Sequence, residues 1–146
     1  MTLPAFFTEL RADIEALPDQ EKLNLLLEFA NDLPELPEHL ADHLDLMEQV
    51  LECQSPVYLF AELDDEQKVH IHATAPKEAP TTRGFASILA QGVEGLGSEE
   101  FLALPDDTPF ELGLTRIVSP LRLRGMVGMI ARAKRQVREA LAGNEG

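Results

Sequence analysis

The chain has 146 residues, of which 45% are hydrophobic, and this length and composition suit one compact domain with its own core. Twelve basic and 26 acidic residues give a formal net charge of −14, which disfavours binding to a phosphate backbone. The single cysteine, Cys53, excludes an internal disulfide and a multi-cysteine metal cluster built from this chain alone. We therefore expect one domain over residues 1–146 and no nucleic-acid partner.

The N-terminal residues do not resemble a targeting segment. Charged residues interrupt the apolar positions soon after Phe7, and no apolar run approaches the roughly twenty residues that cross a bilayer. An unpaired cysteine also suits a reducing compartment. We expect a cytoplasmic chain with no membrane partner.

Apolar residues at helical spacing predict two helices at the start of the chain. The first has Thr2 as a candidate N-cap and ends before Pro18, and Asp19 suits the N-cap of the second. The segment 33–37 stops the second helix, because each of its two prolines removes an amide donor. The natural arrangement of two such short helices is an antiparallel pair.

The apolar period changes to two in the middle of the chain. Residues 57–63 and 69–73 alternate on either side of a polar turn, which predicts an antiparallel hairpin with His70 and His72 on a partly exposed face. Residues 38–52 are ambiguous and permit a helical turn near 40–46 and a short strand at 49–51.

Helical spacing returns after the hairpin. Thr81 or Thr82 suits the N-cap of a helix that runs to Gly95, and Ser98 opens a shorter helix. The predicted class is α+β: a helical pair, a small antiparallel β-sheet and flanking helices, with a long C-terminal helix.

The C-terminal helix has the clearest predicted start. In Ser119-Pro120 the serine suits the N-cap and the proline suits the first helical position, and the helix extends to about Leu141. Gly125 and Gly128 lie inside it, where glycine is costly relative to alanine. They indicate close packing or a surface reserved for another contact.

Charge is distributed unevenly along the chain. From Leu114 onward there are seven basic and two acidic residues, a balance of +5, whereas the first 113 residues carry −19. Such asymmetry orients the approach of a charged partner or simply reflects a solvated helix face.

Cys53 is the first candidate for chemistry. A lone cysteine is often a small buried hydrophobic residue, but the polar neighbours in Glu52-Cys53-Gln54-Ser55 favour a loop. The adjacent Glu52 is expected to raise the pKa of the thiol.

The four histidines form two close pairs in the sequence. His39 and His43 would share one face of a helix, and His70 and His72 one face of a strand, as metal ligands do. Neither pair has a third ligand at diagnostic spacing, so a solvated surface is the favoured interpretation of both pairs.

Three short motifs follow one another within residues 19–137. The first is Leu33-Pro34-Glu35-Leu36-Pro37, and the second is Cys53-Gln54-Ser55 with the following Val57-Tyr58. The third is the start of the last helix at 119–126. Their order and spacing resemble those of the SufE family, the sulfur-acceptor proteins of iron-sulfur cluster biogenesis. The resemblance implies a SufE/IscU-like fold.

The same resemblance implies that Cys53 accepts persulfide sulfur from a pyridoxal-phosphate-dependent, SufS-like cysteine desulfurase. The chain would stimulate that enzyme and pass the sulfur to a SufBCD-like iron-sulfur scaffold, as an accessory protein and not a stand-alone enzyme. Gln54 and Ser55 would shape the loop, and Arg122 and Arg83 would serve the partner interface or the loop. The chain itself would bind no cofactor or metal, since the pyridoxal phosphate belongs to the desulfurase, and it would be a monomer or weak dimer.

Two other hypotheses remain open. In the first, the chain is a non-catalytic interaction module whose acidic body docks a basic partner and whose Cys53 is structural. In the second, the histidine pairs serve a metal-dependent enzyme.

Overall fold

Helices surround a small antiparallel sheet in the computed structural model, which describes residues 3–145 and the side chains as far as Gly143. This arrangement confirms the predicted α+β class and the long C-terminal helix. Short 3₁₀ segments cover Leu44–Leu46 and Thr108–Glu111. The helices and strands are α1 (Ala5–Ala16), α2 (Asp19–Asn31), β1 (Glu48–Gln49), β2 (Tyr58–Leu63), β3 (Val69–Thr74), α3 (Pro80–Val93), α4 (Ser98–Leu102) and α5 (Pro120–Glu145).

The predicted ends of the first two helices are close to those observed, but the predicted cap of α2 is wrong. The helix begins at Asp19 itself, with Pro18 in the cap position and no side-chain cap bond. The Asp19 carboxylate instead accepts from Arg116, whose Nε lies 3.1 Å from Oδ1. The predicted cap Thr2 lies outside the described residues.

The helical pair is held by side chains, although α2 packs most extensively against α3. The rings of Phe6 and Phe29 meet edge to face, with centroids 6.3 Å apart, and so join α1 to α2. At the contact of α2 with α3, a Cβ at Gly84 would lie 2.7 Å from the carbonyl oxygen of Leu26. This close approach explains why α3 has a glycine there.

The start of α3 also differs from the prediction. The helix begins at Pro80, ahead of Thr81 and Thr82, with Ala79 in the cap position. Proline fits the first helical position because its missing N–H has no partner there. By contrast the predicted start of α5 is confirmed, since the N–H of Arg122 lies 3.4 Å from Oγ of Ser119.

The sheet has the strand order β1-β2-β3 and confirms the predicted hairpin. Phe60 pairs with His72, and Glu62 pairs with His70. Along β3 every second residue is buried, and the two histidines lie on the partly exposed face, as predicted. The ambiguous segment 38–52 contains a 3₁₀ turn and the short β1, one residue earlier than the predicted strand.

The C-terminal helix α5 is anchored along its length by the core. It packs against β2 and α3, and each fully buried aliphatic side chain contributes about 1.5–3 kcal/mol. The buried apolar side chains of α5 are Leu123, Met126, Met129, Ile130, Ala133 and Val137. Within residues 3–145 no helix has an apolar stretch of the length that spans a bilayer.

Candidate functional site

Cys53 lies in a short loop between β1 and β2. Val50 and Val57 are fully buried and close the base of the loop through an N–H to carbonyl bond of 2.8 Å. The N–H of Cys53 then donates to the carbonyl of Val50 over 3.1 Å, which turns the chain back on itself. Two buried valines therefore hold a polar loop at the edge of the sheet.

The loop rests on the glycines of α5. A Cβ at Gly125 would lie 3.0 Å from Sγ of Cys53, and a Cβ at Gly128 would lie 2.7 Å from Cδ of Glu52. The contact at Gly128 is closer than real Cβ atoms come to other atoms, and the contact at Gly125 is tighter than nearly all of them, so a side chain at either position would press on the loop. The prediction that these glycines mark close packing is confirmed.

Arg132 ties the same loop to α5 electrostatically. Its Nε and Nη2 lie 2.9 Å and 2.8 Å from Oε1 of Glu52, and its Nη1 contacts Glu48. Sequence reasoning did not single out Arg132. Arg132 lies four residues after Gly128 and seven after Gly125, which puts all three on one face of a helix. Helical periodicity is therefore the signal in the sequence that could have identified it.

The surroundings of Cys53 disfavour its thiolate. Burial raises the pKa of the thiol to about 11, the carboxylate of Glu52 adds to the increase, and Arg132 opposes it. The direction expected from Glu52 is therefore present, although burial is the larger cause. At neutral pH the thiol is almost entirely protonated, and an unassisted Cys53 is a poor nucleophile.

A cavity of about 190 Å³ lies beside Cys53. It is formed by the Cys53 loop, the start of α3 and the first turns of α5, and it brings together the predicted site residues Gln54, Ser55 and Arg122. Pockets for small organic ligands usually measure about 300–1,000 Å³. This cavity is therefore suited to a few atoms next to the sulfur.

Charge around the cavity is not fully neutralised within the chain. In residues 3–143 the arginine ion pairs involve Arg116, Arg132 and Arg135, and no carboxylate lies within 4.0 Å of the Arg122 guanidinium. Arg122 is exposed, and the neighbouring Leu121 side chain is 52% exposed. The cavity rim thus presents a free cation beside an apolar side chain.

Two groups of predicted residues lie elsewhere. Arg83 donates from Nε to the carbonyl of Ala30 over 2.9 Å and from Nη1 to that of Ala75 over 2.7 Å, so it holds the start of α3 to neighbouring backbone. Neither Arg83 nor any of the four histidines lines the Cys53 cavity. His70 and His72 share a strand face as predicted. By contrast His39 and His43 do not lie on a helix, and His39 lies near His72.

The fold and this site define an α+β protein whose single thiol is sheltered between a loop and the first turns of a long terminal helix. The family described as SufE, Fe-S metabolism associated domain, matches residues 8–137. The chain belongs to the SufE family, as the resemblance of its motifs predicted, and is thereby associated with iron-sulfur metabolism.

Relatives agree with this assignment over most of the chain. SufE-like proteins from two strains of Mycobacterium tuberculosis, both described as uncharacterised, are 53% identical over 139 residues, or 95% of this chain and 96% of theirs. A chloroplastic/mitochondrial SufE-like protein of Arabidopsis thaliana is 32% identical over 78 residues, which is 53% of this chain and 20% of the plant protein. The solution structure of a hypothetical protein from Thermus thermophilus superposes with a TM-score of 0.84 and 33% identity, covering 97% of this chain and 99% of that one.

Proposed function

We propose that the chain is a sulfur carrier that takes persulfide sulfur from a cysteine desulfurase onto Cys53 and passes it to an iron-sulfur scaffold. The observation that carries the proposal is a lone thiol beside a cavity of about 190 Å³, in a chain of the SufE family. A carrier needs one nucleophile and no resolving cysteine. The cavity has room for the one extra atom that a persulfide adds.

The transfer is a thiol exchange that needs no external oxidant. The thiolate of Cys53 attacks the outer sulfur of the donor persulfide, a new S–S bond forms on Cys53, and the donor S–S bond breaks. The electron pair of the broken bond leaves on the donor thiolate, which takes up the proton that Cys53 loses. In this proposal the pyridoxal phosphate belongs to the donor, and the reaction takes place where thiols stay reduced, as in the cytoplasm.

The raised pKa of Cys53 gives docking a chemical role in the proposal. With a pKa of about 11, only roughly one thiol in ten thousand is ionised at pH 7. When a partner docks and lifts the Cys53 loop from α5, the sulfur separates from the helix backbone. This removes the burial that is the main cause of the raised pKa. The resting chain is then protected from stray reagents, and the thiol becomes reactive at the partner surface.

The rim of the cavity supports a protein partner. The Arg122 guanidinium has no carboxylate partner within residues 3–143, and the adjacent Leu121 is 52% exposed. Arginine is enriched at protein interfaces, and the exposed leucine adds apolar area to the same rim. Stimulation of the desulfurase by this surface belongs to the same proposal.

A second function has an observation in its favour. A half-buried thiol that packs against α5 and has a pKa of about 11 resembles a structural cysteine. In that case the chain is an interaction module, and Cys53 only fills space beside Gly125.

One experiment distinguishes the two functions. The chain is incubated with cysteine and its desulfurase, and intact mass is measured without reductant. A carrier gains the mass of one sulfur atom, mapped to the peptide that contains Cys53, and Cys53→Ser gains none. The interaction module gains no sulfur, and Cys53→Ser still binds and stimulates the desulfurase; that result overturns the carrier function.

A further inference from the structure

A second chemical cluster lies on the outer face of the sheet. His39, Glu62 and His72 place one imidazole nitrogen or carboxylate oxygen each within 4.8 Å of the other two. The carboxylate of Glu62 contacts both histidines, with Nε2 of His72 3.3 Å from Oε2 and Nε2 of His39 against Oε1. We propose that these three residues bind a divalent transition-metal cation of the Zn²⁺ class.

The strands fix two of the three ligands. Phe60 pairs with His72 and Glu62 pairs with His70, so Glu62 and His72 are diagonal neighbours on one face of the hairpin. Their side chains are 30% and 21% exposed, which leaves their donor atoms on a partly sheltered surface. A rigid antiparallel pair therefore presents a carboxylate and an imidazole together.

The third ligand comes from a turn that the core anchors. Leu40 is 1% exposed, and its N–H donates to the carbonyl of Pro37 over 2.9 Å. This turn carries the adjacent His39 over the sheet, where its ring meets that of His72 edge to face at 6.0 Å. The proline-rich break after α2 thus delivers a ligand that lies 33 residues from His72 in sequence.

The donor spacing is close to what a cation requires. Zinc bonds to nitrogen and oxygen of about 2.0–2.2 Å in a tetrahedral site put neighbouring donors about 3.3 Å apart. The donor atoms of the three residues lie at most 4.8 Å apart, so a small side-chain rotation brings them to the spacing of a bound cation. The His39 side chain is 57% exposed, so little packing opposes that rotation, while the strand residues stay in place.

The donor set selects the class of metal. Two imidazoles and one carboxylate, with a fourth position open to water, suit Zn²⁺ and similar ions. Magnesium and calcium prefer sites built from oxygen atoms, so they are poorer occupants. The net charge of −14 draws any cation to the protein, and the local ligands provide the selectivity.

The test is a titration of the full chain with zinc chloride at pH 7.5, followed by calorimetry. The background is Cys53→Ser, because a thiol is itself a zinc ligand. We expect one equivalent to bind, and His39→Ala or Glu62→Gln to weaken binding by more than about tenfold. The matched control is His43→Ala, which removes an exposed imidazole outside the cluster and should leave the affinity unchanged.

A second measurement reports coordination directly. In this experiment cobalt(II) replaces zinc. The visible absorption of bound cobalt should indicate a tetrahedral or five-coordinate site in the parent, and this absorption should be absent in His39→Ala. Because His39 lies in an exposed turn, the substitution should leave the fold intact. Equal binding by the parent and His39→Ala, or no saturable binding by the parent, overturns the proposal. Because Cys53 takes no part in the site, either result leaves the sulfur-carrier function untouched.

Discussion

Glu52 and Arg132 form an ion pair in which two guanidinium nitrogens, Nε and Nη2, lie 2.9 Å and 2.8 Å from the same carboxylate oxygen. The pair fixes the residue before Cys53 to the face of α5 that also carries Gly125 and Gly128. It places two opposite charges near the thiol, and their effects on the pKa of the thiol oppose each other. The position of Glu52 therefore links the shape of the loop to the reactivity of the sulfur.

The first prediction concerns the carboxylate of Glu52. Glu52→Gln removes a charge that raises the pKa of Cys53 and also weakens the attachment to Arg132, so the pKa of the thiol should fall below about 11. Alkylation by iodoacetamide near pH 8 should become several times faster, since the thiolate is the nucleophile. The pH dependence of the alkylation rate measures both effects.

The matched control for this variant is Glu48→Gln. Glu48 also contacts Arg132, yet it is not among the causes of the raised pKa of Cys53. We expect this control to alkylate at close to the parent rate. If alkylation becomes faster by the same factor in both variants, the attachment of the loop to Arg132, and not the charge of Glu52, controls the reactivity of the thiol.

The second prediction concerns the contact of Cys53 with Gly125. Gly125→Ala places a Cβ 3.0 Å from Sγ of Cys53, so the loop must move away from α5 by a few tenths of an ångström. We expect several-fold faster alkylation and a loss of about 1 kcal/mol in the free energy of unfolding, because overpacking outweighs the gain in helix propensity. Gly143→Ala is the control: nothing lies within 4 Å of its Cβ, and it should leave alkylation unchanged. Slower or unchanged alkylation of Gly125→Ala would contradict the packing described.

Local signals in the sequence were enough to predict much of the fold. The alternation of residues 57–63 and 69–73 is a property of neighbouring residues, and the hairpin follows from it. Ser119-Pro120 likewise marks the start of α5 through the chemistry of two adjacent residues. The predicted caps at Asp19 and Thr81 were wrong because a proline next to each took the first or cap position.

Contacts between distant segments were beyond these signals. Cys53 meets Gly125 across 72 residues, and His39 meets His72 across 33, with nothing in the local pattern to join them. The glycines did indicate a close contact but not its partner. Arg83 was placed with the site through the family resemblance, and its bonds to backbone carbonyls became visible only in three dimensions.

The third prediction separates the two roles considered for Arg83. Arg83→Gln loses the bonds to Ala30 and Ala75 and leaves partly buried carbonyls unsatisfied, which should cost about 1–3 kcal/mol in the free energy of unfolding. The exposed Arg124→Gln serves as the control and should change stability by less than about 0.5 kcal/mol. Urea unfolding measures both. Undiminished stability of Arg83→Gln would indicate a role at the partner surface.

The fourth prediction is a dependence of stability on pH that comes from His70. The hydrogen bond to Asp64, 2.8 Å between Nε2 and Oδ2, raises the pKa of His70, and Glu94 adds to the increase. A raised pKa stabilises the fold fully below the unfolded value of about 6.5, and this contribution is lost as the pH rises through the folded pKa. The same bond lowers the pKa of Asp64. The contribution of Asp64 to stability is therefore lost only as the pH falls through that lowered pKa.

The measurement compares the melting temperatures of the parent and His70→Gln at pH 5.5 and pH 8.5. At pH 5.5 the parent should have a higher melting temperature than His70→Gln. This difference in melting temperature should be smaller at pH 8.5. His43→Gln removes an exposed histidine and should show no such dependence. A difference that grows with pH would have the wrong sign and would refute the ion pair.

The fifth prediction concerns Arg122 and tests the docking surface. The arginines that form ion pairs within the described residues, Arg116, Arg132 and Arg135, do not line the cavity, whereas Arg122 lines it and has no carboxylate partner within residues 3–143. Arg122→Gln should therefore slow sulfur uptake from the desulfurase by about tenfold, mainly through slower association. Because the side chain is exposed, the free energy of unfolding and the alkylation rate of Cys53 should stay at the parent values.

Arg124→Gln provides the matched control, since it removes another exposed cation two residues along the same helix. The two side chains point in directions about 200° apart around the helix axis, so a partner bound at the Cys53 cavity should distinguish them. Higher salt should reduce the difference between the parent and Arg122→Gln, because screening weakens the attraction that the guanidinium provides. Equal losses in the two variants would mean that net charge, and not the position of Arg122 beside the cavity, guides the partner.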